Sequence, residues 1–431
     1  MPDRSVSLIK LVFESIYGES FSNETFHSLV QSKLSEIARG VAELSEIYTR
    51  RRQDVSKNLL NDPLLRKAYL IYFLPCNLFK LKIILREILA HPKVSRLVRG
   101  DLRLLDVGCG PGTHLLGFLD FLAEEPQVVN WLDCVALDSS RGNLQDAQHL
   151  FEQYLGWVVD QSINFPKCTL QTCLTELSHG LRLEPKGKFD FIVFGNVLNE
   201  LFLETEDRIE KRCEAVSAIW TQWLKPEGFL ILIEPALKET SRELLLLRDL
   251  LLEKSDLQIY SPCVHSLGCP AVAPENLSDW CHEDRAWSPP SLIQKIDALV
   301  GNRKGSLKYS YVVFNRMGLS VREAGLWQSQ KKTLLGGYDP SGNPTDSFAG
   351  QGDSQIWRVV SERIEEKGKS SLYFCGSEGR AKVTQLRKHA SSANEDFKRS
   401  DRGGVVMTAG LKKKNGKDWR VEPETRVKCL M

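Results

Sequence analysis

Three kinds of segment are missing from this 431-residue sequence. Its first residues, MPDRSVSLIKLVFES, lack the basic-then-apolar layout of a secretory signal peptide. No apolar run looks long enough for a membrane span, because Arg248 and Asp249 interrupt the leucine-rich stretch 244–252. No internal repeat is found either. We therefore expect no secretion and no membrane partner, and the length predicts two or three globular domains.

The sequence also has little net charge, +2 in total, but that charge is uneven. Residues 380–431 hold 14 Lys and Arg against 6 Asp and Glu, a net charge of +8, so the remainder of the chain is near −6. A basic end on a nearly neutral body is typical of a protein with an anionic partner, most often RNA. The alternative is a solvated, partly flexible end.

The sequence contains 11 cysteines and no secretion signal, which favours a reducing compartment. We therefore expect a cytoplasmic protein, or one of the mitochondrial matrix if the protein is organellar. In a reducing compartment, clustered cysteines bind a metal or a metal cluster more often than they form disulfides.

Hydrophobic periodicity divides the chain into regions of different type. Residues 1–98 have helical periodicity, and from about residue 101 strands alternate with helices. Such alternation predicts the α/β class: a doubly wound, mostly parallel, seven-stranded sheet of the Rossmann-like kind. The predicted domains are a helical N-terminal domain at 1–98, an α/β domain at 99–320 with a Cys-rich insert at 259–287, a small β-rich domain at 321–390, where turn residues crowd 336–353, and a basic, flexible tail at 391–431.

A glycine loop follows the first predicted strand of the α/β domain. The run LRLLDVGCGPGT at 102–113 places Asp106 at the strand end and glycines at 108, 110 and 112. This D-x-G-x-G-x-G pattern is typical of S-adenosylmethionine (SAM) methyltransferases, whose glycines let the backbone approach the cofactor. The helix that follows directs its positive end at the cofactor. The sequence therefore predicts SAM binding by Asp106, Gly108, Gly110 and Gly112.

Polar residues at the ends of later strands extend this predicted site. Asp138 ends the second strand and is expected to bind the ribose hydroxyls, whereas Asn196, Asn199 and Glu200 follow the fourth strand and are candidate catalytic residues. Asn196 is also a candidate cofactor contact. The sequence lacks the [DN]-P-P-[YF] motif of base-modifying N-methyltransferases, and no cysteine nucleophile follows the fourth or fifth strand. Methyl transfer is thus less well supported than cofactor binding, and a dinucleotide-binding domain is the alternative.

Three cysteines in the insert have the spacing C-x5-C-x11-C, at Cys263, Cys269 and Cys281. A tetrahedral site requires a fourth ligand, and the candidates are His265, His282 and the distant Cys375. Four thiolates fit a [4Fe–4S] cluster, and three thiolates with a histidine fit zinc. Unrelated structural cysteines are the remaining alternative.

The order of these motifs resembles the methyltransferase-like assembly factors of the small ribosomal subunit in bacteria and mitochondria. The resemblance rests on the loop at 106–112, CVHSLGCP at 263–270, DWCHEDR at 279–285, LKYSYVVFNR at 307–316, and the strand end at 374–379. It implies a SAM-fold protein that binds the rRNA of the small subunit. It also implies an iron–sulfur cluster held by Cys263, Cys269, Cys281 and Cys375.

Three functions remain open on the sequence alone. The chain is expected to be a SAM-dependent rRNA methyltransferase acting on the small ribosomal subunit, with a non-catalytic assembly factor or a small-molecule methyltransferase with a zinc site as alternatives. We expect a monomer. Base stacking is assigned to Trp287 and Tyr309, and an RNA-facing surface is predicted from basic residues: Arg285, Lys304, Lys308, Arg316, Arg380, Lys382, Arg387 and Lys388.

Overall fold

The structure is a computed structural model that describes residues 4–18, 22–56, 58–94, 99–125, 129–177, 187–335, 354–416 and 418–431. Residue contacts divide the chain into two compact units, each assembled from separate segments. The first unit comprises Met1–Leu85, Val98–Leu237 and Ala286–Leu307. The second comprises Arg86–Leu97, Lys238–Arg285 and Lys308–Met431.

The α-helices within the described residues occur in the N-terminal region and between the strands that follow it. They are α1 (Arg4–Tyr17), α2 (Asn23–Thr49), α3 (Pro63–Ala68), α4 (Leu74–Leu89), α5 (Thr113–Glu124), α6 (Arg141–Asp160), α7 (Arg208–Trp223), α8 (Lys238–Lys254), α9 (Ser291–Val300) and α10 (Val321–Leu335). A π-helical turn, Tyr69–Phe73, joins α3 to α4. Short 3₁₀ helices add single turns at Arg52–Asp54, Leu59–Asn61, Leu198–Glu200, Arg387–His389 and Ser392–Lys398.

The β-strands fall into an N-terminal group with long hydrophobic runs and a C-terminal group of shorter strands. The first group is β1 (Gly100–Val107), β2 (Val129–Asp138), β3 (Lys167–Leu174), β4 (Phe189–Gly195), β5 (Leu224–Pro235), β6 (Gln258–Ser261), β7 (Glu283–Ala286) and β8 (Ser306–Asn315). The second is β9 (Ser354–Val359), β10 (Ile364–Glu366), β11 (Lys369–Gly376), β12 (Gly379–Leu386), β13 (Val405–Ala409), β14 (Lys412–Lys413), β15 (Asp418–Val421) and β16 (Arg426–Cys429).

The first unit is built on five parallel strands in the order β3-β2-β1-β4-β5. Strands β1 and β4 are nearly continuous apolar runs because parallel strands covered by helices are buried on both faces. The strand order reverses between β1 and β4, which is the place where such sheets bind ligands. The predicted α/β class, with a helical N-terminal region and a β-rich C-terminal region, is confirmed.

One helical segment, Pro63–Leu89, is long and apolar enough to span a membrane by length and composition. The expectation that no segment has this length was therefore wrong. However, 72% of its most apolar window is buried inside the protein. A buried core helix accounts for such a composition without a membrane, because a helix covered on all sides is apolar all round.

The second unit contains an antiparallel pair of β6 and β8 and a separate sheet formed by β9–β16. The basic segment 391–431, expected to be a flexible tail, instead supplies β13 to β16 of this sheet. The many basic residues of this segment obscured its hydrophobic pattern in the sequence. In the structure, Val406, Val421 and Val427 are buried with Trp357 and Phe374 in one core. The turn-rich stretch 336–353 lies outside the described residues.

A buried charge cluster links two helices of the first unit. Lys82 of α4 is fully buried, and its ammonium contacts the carboxylates of Asp120 and, at 2.6 Å, Glu124, both on α5. The Tyr154 hydroxyl donates to Asp120 at 2.9 Å. Each charge is thus compensated, which is the condition under which charges are tolerated in a core.

We predict that Lys82→Ala destabilises the first unit by about 3–5 kcal/mol, because Asp120 is left buried without its cation. Urea denaturation followed by intrinsic fluorescence measures the change. Arg50→Ala, which removes an exposed ion pair with Glu46, is the control and should change the midpoint little. Equal midpoints for the two variants would contradict the assigned role of Lys82.

Candidate functional site

The glycine loop after β1 has a backbone conformation that side chains other than glycine rarely adopt. The φ angles of Gly108, Gly110 and Gly112 are 68°, 54° and 85°. A Cβ on Gly108 would lie 2.4 Å from Val197, and one on Gly112 would lie 3.0 Å from the Ala147 backbone, whereas at Gly110 it would meet open space. The loop therefore packs closely against the protein at Gly108 and Gly112 and is open at Gly110, where a cofactor can approach the backbone.

Two aspartates hold this loop. The Asp138 carboxylate accepts hydrogen bonds from the Gly110 N–H at 2.9 Å, the Ser140 N–H at 2.8 Å and the Asn143 amide at 3.1 Å. Asp106 is fully buried at the start of α5, and burial raises its pKa to about 8, although the Leu115 N–H opposes this effect. The first unit thus places two carboxyl groups beside the loop, and in their ionised form they favour a cationic ligand.

The three candidate catalytic residues lie together after β4 but differ in their environments. Asn196 has a positive φ of 57°, its N–H donates to the Ile233 carbonyl at 2.8 Å, and its buried amide oxygen has no hydrogen-bond partner among the described residues. Asn199 is buried, and its amide oxygen accepts a hydrogen bond from Arg52 at 3.2 Å. Glu200 is exposed. Asn196 is thus poised for a ligand, whereas Asn199 is engaged by the protein itself.

Several neighbours of this site were missed from the sequence. Glu234 at the end of β5 accepts the Leu198 N–H at 3.0 Å, and burial raises its pKa to about 7. Arg52 also donates to the Asn199 carbonyl at 3.1 Å. The Tyr69 hydroxyl lies 3.3 Å from the Thr113 hydroxyl at the start of α5. Arg52 and Tyr69 come from the N-terminal helical region, whose helical periodicity carries no signal for a role at a distant strand end.

Gly195, the last residue of β4, allows a histidine to lie beneath the site. A Cβ on Gly195 would be 1.8 Å from the Cε1 atom of His114. His114 is buried, and burial lowers its pKa to about 3, so the imidazole is neutral. The glycine is therefore required by the close approach of a ring rather than by its φ angle.

The four candidate metal ligands Cys263, Cys269, Cys281 and Cys375 line a single cavity in the second unit. The cavity encloses about 730 Å³, including the space at its opening. Burial raises the pKa of Cys269 to about 12 and that of Cys281 to about 11, and it raises the pKa of Cys375 well above its ordinary value; neighbouring thiols raise all three further. The structure therefore brings Cys375 to the other three, despite its distance along the chain.

Arginines hold the irregular segment that carries three of these cysteines. Arg242 of α8 donates to the carbonyl oxygens of Ala271 and Asn276, both at 2.9 Å. Arg248 donates to the His265 carbonyl at 3.2 Å and interacts electrostatically with Cys263 and Cys269. The two arginines stabilise this segment in the absence of regular secondary structure, because their planar guanidinium groups donate to loop carbonyls that would otherwise be unpaired.

The chemistry of the cavity fits a thiolate-bound group of net negative charge. Besides Arg248, the guanidinium groups of Arg380 and Arg402 lower the pKa of Cys281, against the larger effect of burial. His265 and His282 line the same cavity, and burial lowers the pKa of each to about 4, so both are neutral. Among the described residues, no three His, Cys, Asp or Glu side chains are arranged around a single metal ion.

Behind the cavity, a buried ion network fixes the strand that pairs with Cys375. Arg358 of β9 is the register partner of Cys375 and is 2% exposed. Its guanidinium donates to Glu87 at 2.6 Å, to Glu283 at 3.0 Å and to the Tyr311 hydroxyl at 3.1 Å. Glu283 follows Cys281 by two residues, so this network links the segments of two candidate ligands.

Four of the eight residues of the predicted RNA-facing surface are engaged in ion pairs. Arg285 pairs with Glu283 at 2.9 Å, Lys308 with Asp284 at 3.3 Å, Arg316 with Asp256 at 2.6 Å and Arg380 with Asp279 at 3.6 Å. The Lys304 ammonium lies over the Tyr72 ring at 5.8 Å. Lys382 is half-buried on β12, and Arg387 and Lys388 are exposed.

The two aromatic residues predicted to stack on bases have other surroundings. Tyr309 is fully buried, so its assignment to base stacking was wrong, and Trp287 packs against Phe79 with ring centroids 5.7 Å apart. Apolar strand residues such as Tyr309 are core residues more often than ligand contacts.

A parallel α/β sheet with a glycine loop at its switch point defines a protein of the nucleotide- or nucleoside-binding class. Within this class, the chain belongs to the Rsm22 family: residues 64–406 match the family described as mitochondrial small ribosomal subunit Rsm22.

Two solved structures have a similar fold at low identity. Magnesium protoporphyrin IX methyltransferase from Synechocystis PCC 6803, with bound SAM, is 13% identical over 57% of this chain and 84% of its own, with a TM-score of 0.31. Precorrin-6y C5,15-methyltransferase from Geobacter metallireducens GS-15 is 13% identical over 51% of this chain and 82% of its own, with a TM-score of 0.26. No curated protein matches the sequence. Both structures are too distant to indicate a function for this chain.

We predict that Gly195→Ala lowers both the stability of the first unit and its affinity for the nucleoside ligand, because the added methyl group displaces the buried His114 ring. Overpacking of this kind costs about 1–3 kcal/mol. Thermal denaturation and ligand titration measure the two effects. Gly156→Ala, where a Cβ meets nothing within 4 Å, is the control and should leave both unchanged or raise stability slightly. A Gly195→Ala variant as stable as this control would contradict the close approach of the ring.

Proposed function

We propose that this protein binds SAM in its first unit and acts on the small ribosomal subunit, either by methylating its rRNA or by assisting its assembly. The observation that carries SAM binding is the loop after β1, in which three glycines have positive φ angles and Gly110 is held by Asp138. Membership of the Rsm22 family supports the small-subunit partner and favours the mitochondrial location over the cytoplasmic one.

The residues of the loop would hold SAM in distinct ways. Asp138 would bind the ribose hydroxyls, because a carboxylate with three protein donors still has a lone pair to offer. Asp106 and the backbone of Gly108, Gly110 and Gly112 would surround the methionine part. Asn196 would contact the cofactor through its unpartnered amide oxygen, and bound SAM would supply an activated methyl group.

The environment of the predicted catalytic residues favours the non-catalytic alternative. Asn199 accepts a hydrogen bond from Arg52 and also bonds to Glu234, so its amide is engaged within the protein. Asn199 is better explained as a positioning residue for the segment after β4. Asn196 and Glu200 remain the candidates for contact with a methyl acceptor.

We further propose that Cys263, Cys269, Cys281 and Cys375 hold a [4Fe–4S] cluster, with zinc as the alternative. Four thiols around one cavity support this, and so do the nearby arginines, which would balance the negative charge of a thiolate-ligated cluster. A bound cluster would supply covalent links between strand β11 and the segment 263–281. The two units carry these two sites separately, so each can be tested without the other.

We predict that Asp138→Ala lowers SAM affinity about tenfold or more, because hydrogen bonds to a charged group contribute about 1.5–3 kcal/mol each. Isothermal titration calorimetry measures the change. Asp133→Ala removes a carboxylate from the same strand that pairs with Arg103 at 2.8 Å instead, and it should bind SAM like the wild type. Equal affinities for both variants would exclude Asp138 as a ligand.

The pH dependence of SAM binding tests Asp106. The pKa of this carboxyl group is raised to about 8 in the free protein, and cationic SAM favours its ionised form, so binding at lower pH must release a proton. Affinity should therefore rise with pH between about pH 6 and 7.5, by up to about tenfold per unit. Asp106→Asn should abolish the component of this slope that comes from Asp106. An unchanged slope in Asp106→Asn would contradict the assignment.

Two assays separate methylation from assembly. Transfer of labelled methyl groups from SAM to rRNA in immature small subunits would support the enzyme, and Asp138→Ala should remove the transfer. Co-sedimentation with small subunits without any transfer would support the assembly factor. If the protein neither transfers methyl groups to rRNA nor co-sediments with small subunits, the small-molecule methyltransferase is the alternative that remains.

The cluster is tested by iron and sulfide analysis of anaerobically purified protein. We predict about four iron and four sulfide per chain, both absent in Cys375→Ser. Cys429→Ser, in the same β-sheet but outside the cavity, should retain both. Zinc without sulfide would support the alternative, and full metal content in Cys375→Ser would exclude Cys375 as a ligand.

A further inference from the structure

The C-terminal sheet closes on itself as a five-stranded barrel. Residues 405–413 (β13 and β14) and 418–429 (β15 and β16) each behave as one long strand interrupted in the middle. In chain order, the five barrel strands are β9, β11, β12, 405–413 and 418–429, and they pair in the order 1-2-3-5-4-1. Strand β9 pairs antiparallel with β11 and β13, and β11 pairs antiparallel with β12. Strand β12 pairs parallel with β15, whereas β13 pairs antiparallel with β16 and β14 with β15. A short helix, Ser392–Lys398, lies between the third and fourth strands.

This connectivity is that of the OB barrel, a Greek-key fold whose second and third strands form the usual surface for oligonucleotides. Here those strands are β11 and β12. Their inward residues, Leu372, Phe374, Ala381 and Val383, belong to the buried core. The alternate residues therefore lie on the outer face, which is the face that matters for binding.

The outer face of β11 and β12 presents an aromatic ring among basic side chains. Tyr373 is half-buried and is the register partner of Lys382. The guanidinium of Arg380 lies 5.7 Å from the centroid of the Tyr373 ring. Ser371 and Thr384 share a hydrogen bond of 2.9 Å on the same face. An aromatic ring beside cations provides a stacking surface for a base and charge for the neighbouring phosphates.

A basic hairpin extends this surface at the sheet edge. The segment 412–420, KKKNGKDWR, contains five basic residues and one acidic residue, and its Asn-Gly pair at 415–416 is typical of hairpin turns. Arg420 is the register partner of both Thr384 and Lys412, which places it beside the outer face of β12. In the OB barrel, the loop between the fourth and fifth strands is the second part of the oligonucleotide surface.

The ion pairs of this hairpin do not neutralise it. Lys412 pairs with Glu424 at 2.9 Å and Lys414 with Glu422 at 3.1 Å, and both lysines are exposed. Exposed pairs of this kind contribute little stability, so a phosphate can replace the carboxylate. Lys413 has no carboxylate partner among the described ion pairs and lies 5.8 Å from the Trp419 ring.

We propose that the outer face of β11, β12 and β15, together with the described residues 412–416 and 418–420 of the hairpin, binds single-stranded RNA, with Tyr373 stacking on a base and Lys382 and Arg420 contacting phosphates. This inference rests on the proposed function, which supplies RNA as the partner. A single strand fits better than a duplex, because a protein ring can stack only on bases that are free of their own helix.

The test measures binding of a fluorescent uridine oligomer of about 12 nucleotides, which is within the site sizes of one OB barrel. Tyr373→Ala should weaken binding about tenfold, since stacking is worth about 1–3 kcal/mol per base. Lys382→Ala/Arg420→Ala should lower the slope of log affinity against log salt by about 0.7 for each phosphate that is no longer neutralised. Lys238→Ala/Lys254→Ala, which removes two exposed lysines on α8, is the matched control and should change neither quantity. Thermal denaturation of each variant checks that the barrel is intact.

The outcomes separate this proposal from the proposed function. Weaker binding of the oligomer by both OB-face variants, with the control unchanged, supports the proposal. Wild-type affinity in both folded variants overturns it, even if the protein co-sediments with small subunits. Equal or tighter binding of an RNA duplex also overturns the preference for single strands. Failure of the wild type to co-sediment while it binds the oligomer would instead contradict only the small-subunit partner.

Discussion

The second unit depends on the buried guanidinium of Arg358. A charge with 2% exposure is costly in a protein interior unless it is paired and hydrogen-bonded. Here Glu87, Glu283 and Tyr311 supply the partners, and they come from three separate parts of the chain. Because Arg358 is also the register partner of Cys375, the same bonds set where that thiol lies. The network therefore stabilises the barrel and the cysteine cavity together.

The N-terminal strands could be predicted from the sequence because their apolar runs are long and unbroken. The strand β1 and the loop to Gly112 agree with the prediction, since the glycines serve local backbone geometry that a sequence reports directly. The barrel was harder to predict, because its last two strands are interrupted and its outer face is basic. Charge in 391–431 was interpreted as a solvated tail, although Val427 lies between two basic residues in the manner of a half-buried strand and Val406 lies in the apolar run 405–407.

The residues that support the two sites could not be predicted, because their contacts join distant parts of the chain. Arg52 acts at Asn199, 147 residues away, and Arg358 acts at Glu87, 271 residues away. Neither stands in a motif. By contrast, Cys263, Cys269 and Cys281 have a recognisable spacing, whereas Cys375 was one of three candidates for the fourth ligand until the resemblance to a family favoured it. Sequence patterns thus identified the candidate ligand-binding groups better than the groups that position them.

Arg380 connects the cysteine cavity to the outer face of the barrel. Strand alternation places Cys375 and Tyr373 on the same face of β11, and Arg380 is the register partner of Cys375. Its guanidinium lies over the Tyr373 ring. Burial raises the pKa of Cys375, and the positive charge of Arg380 opposes this effect. Removal of this cation would therefore alter the thiols and the stacking surface at once, whereas removal of Lys382 alters only the outer face. Since one cation lies beside both places, a negatively charged group in the cavity would draw on the charge that Arg380 offers to a phosphate, and under the two proposals the affinity of the barrel for RNA would then depend on what the four thiols hold.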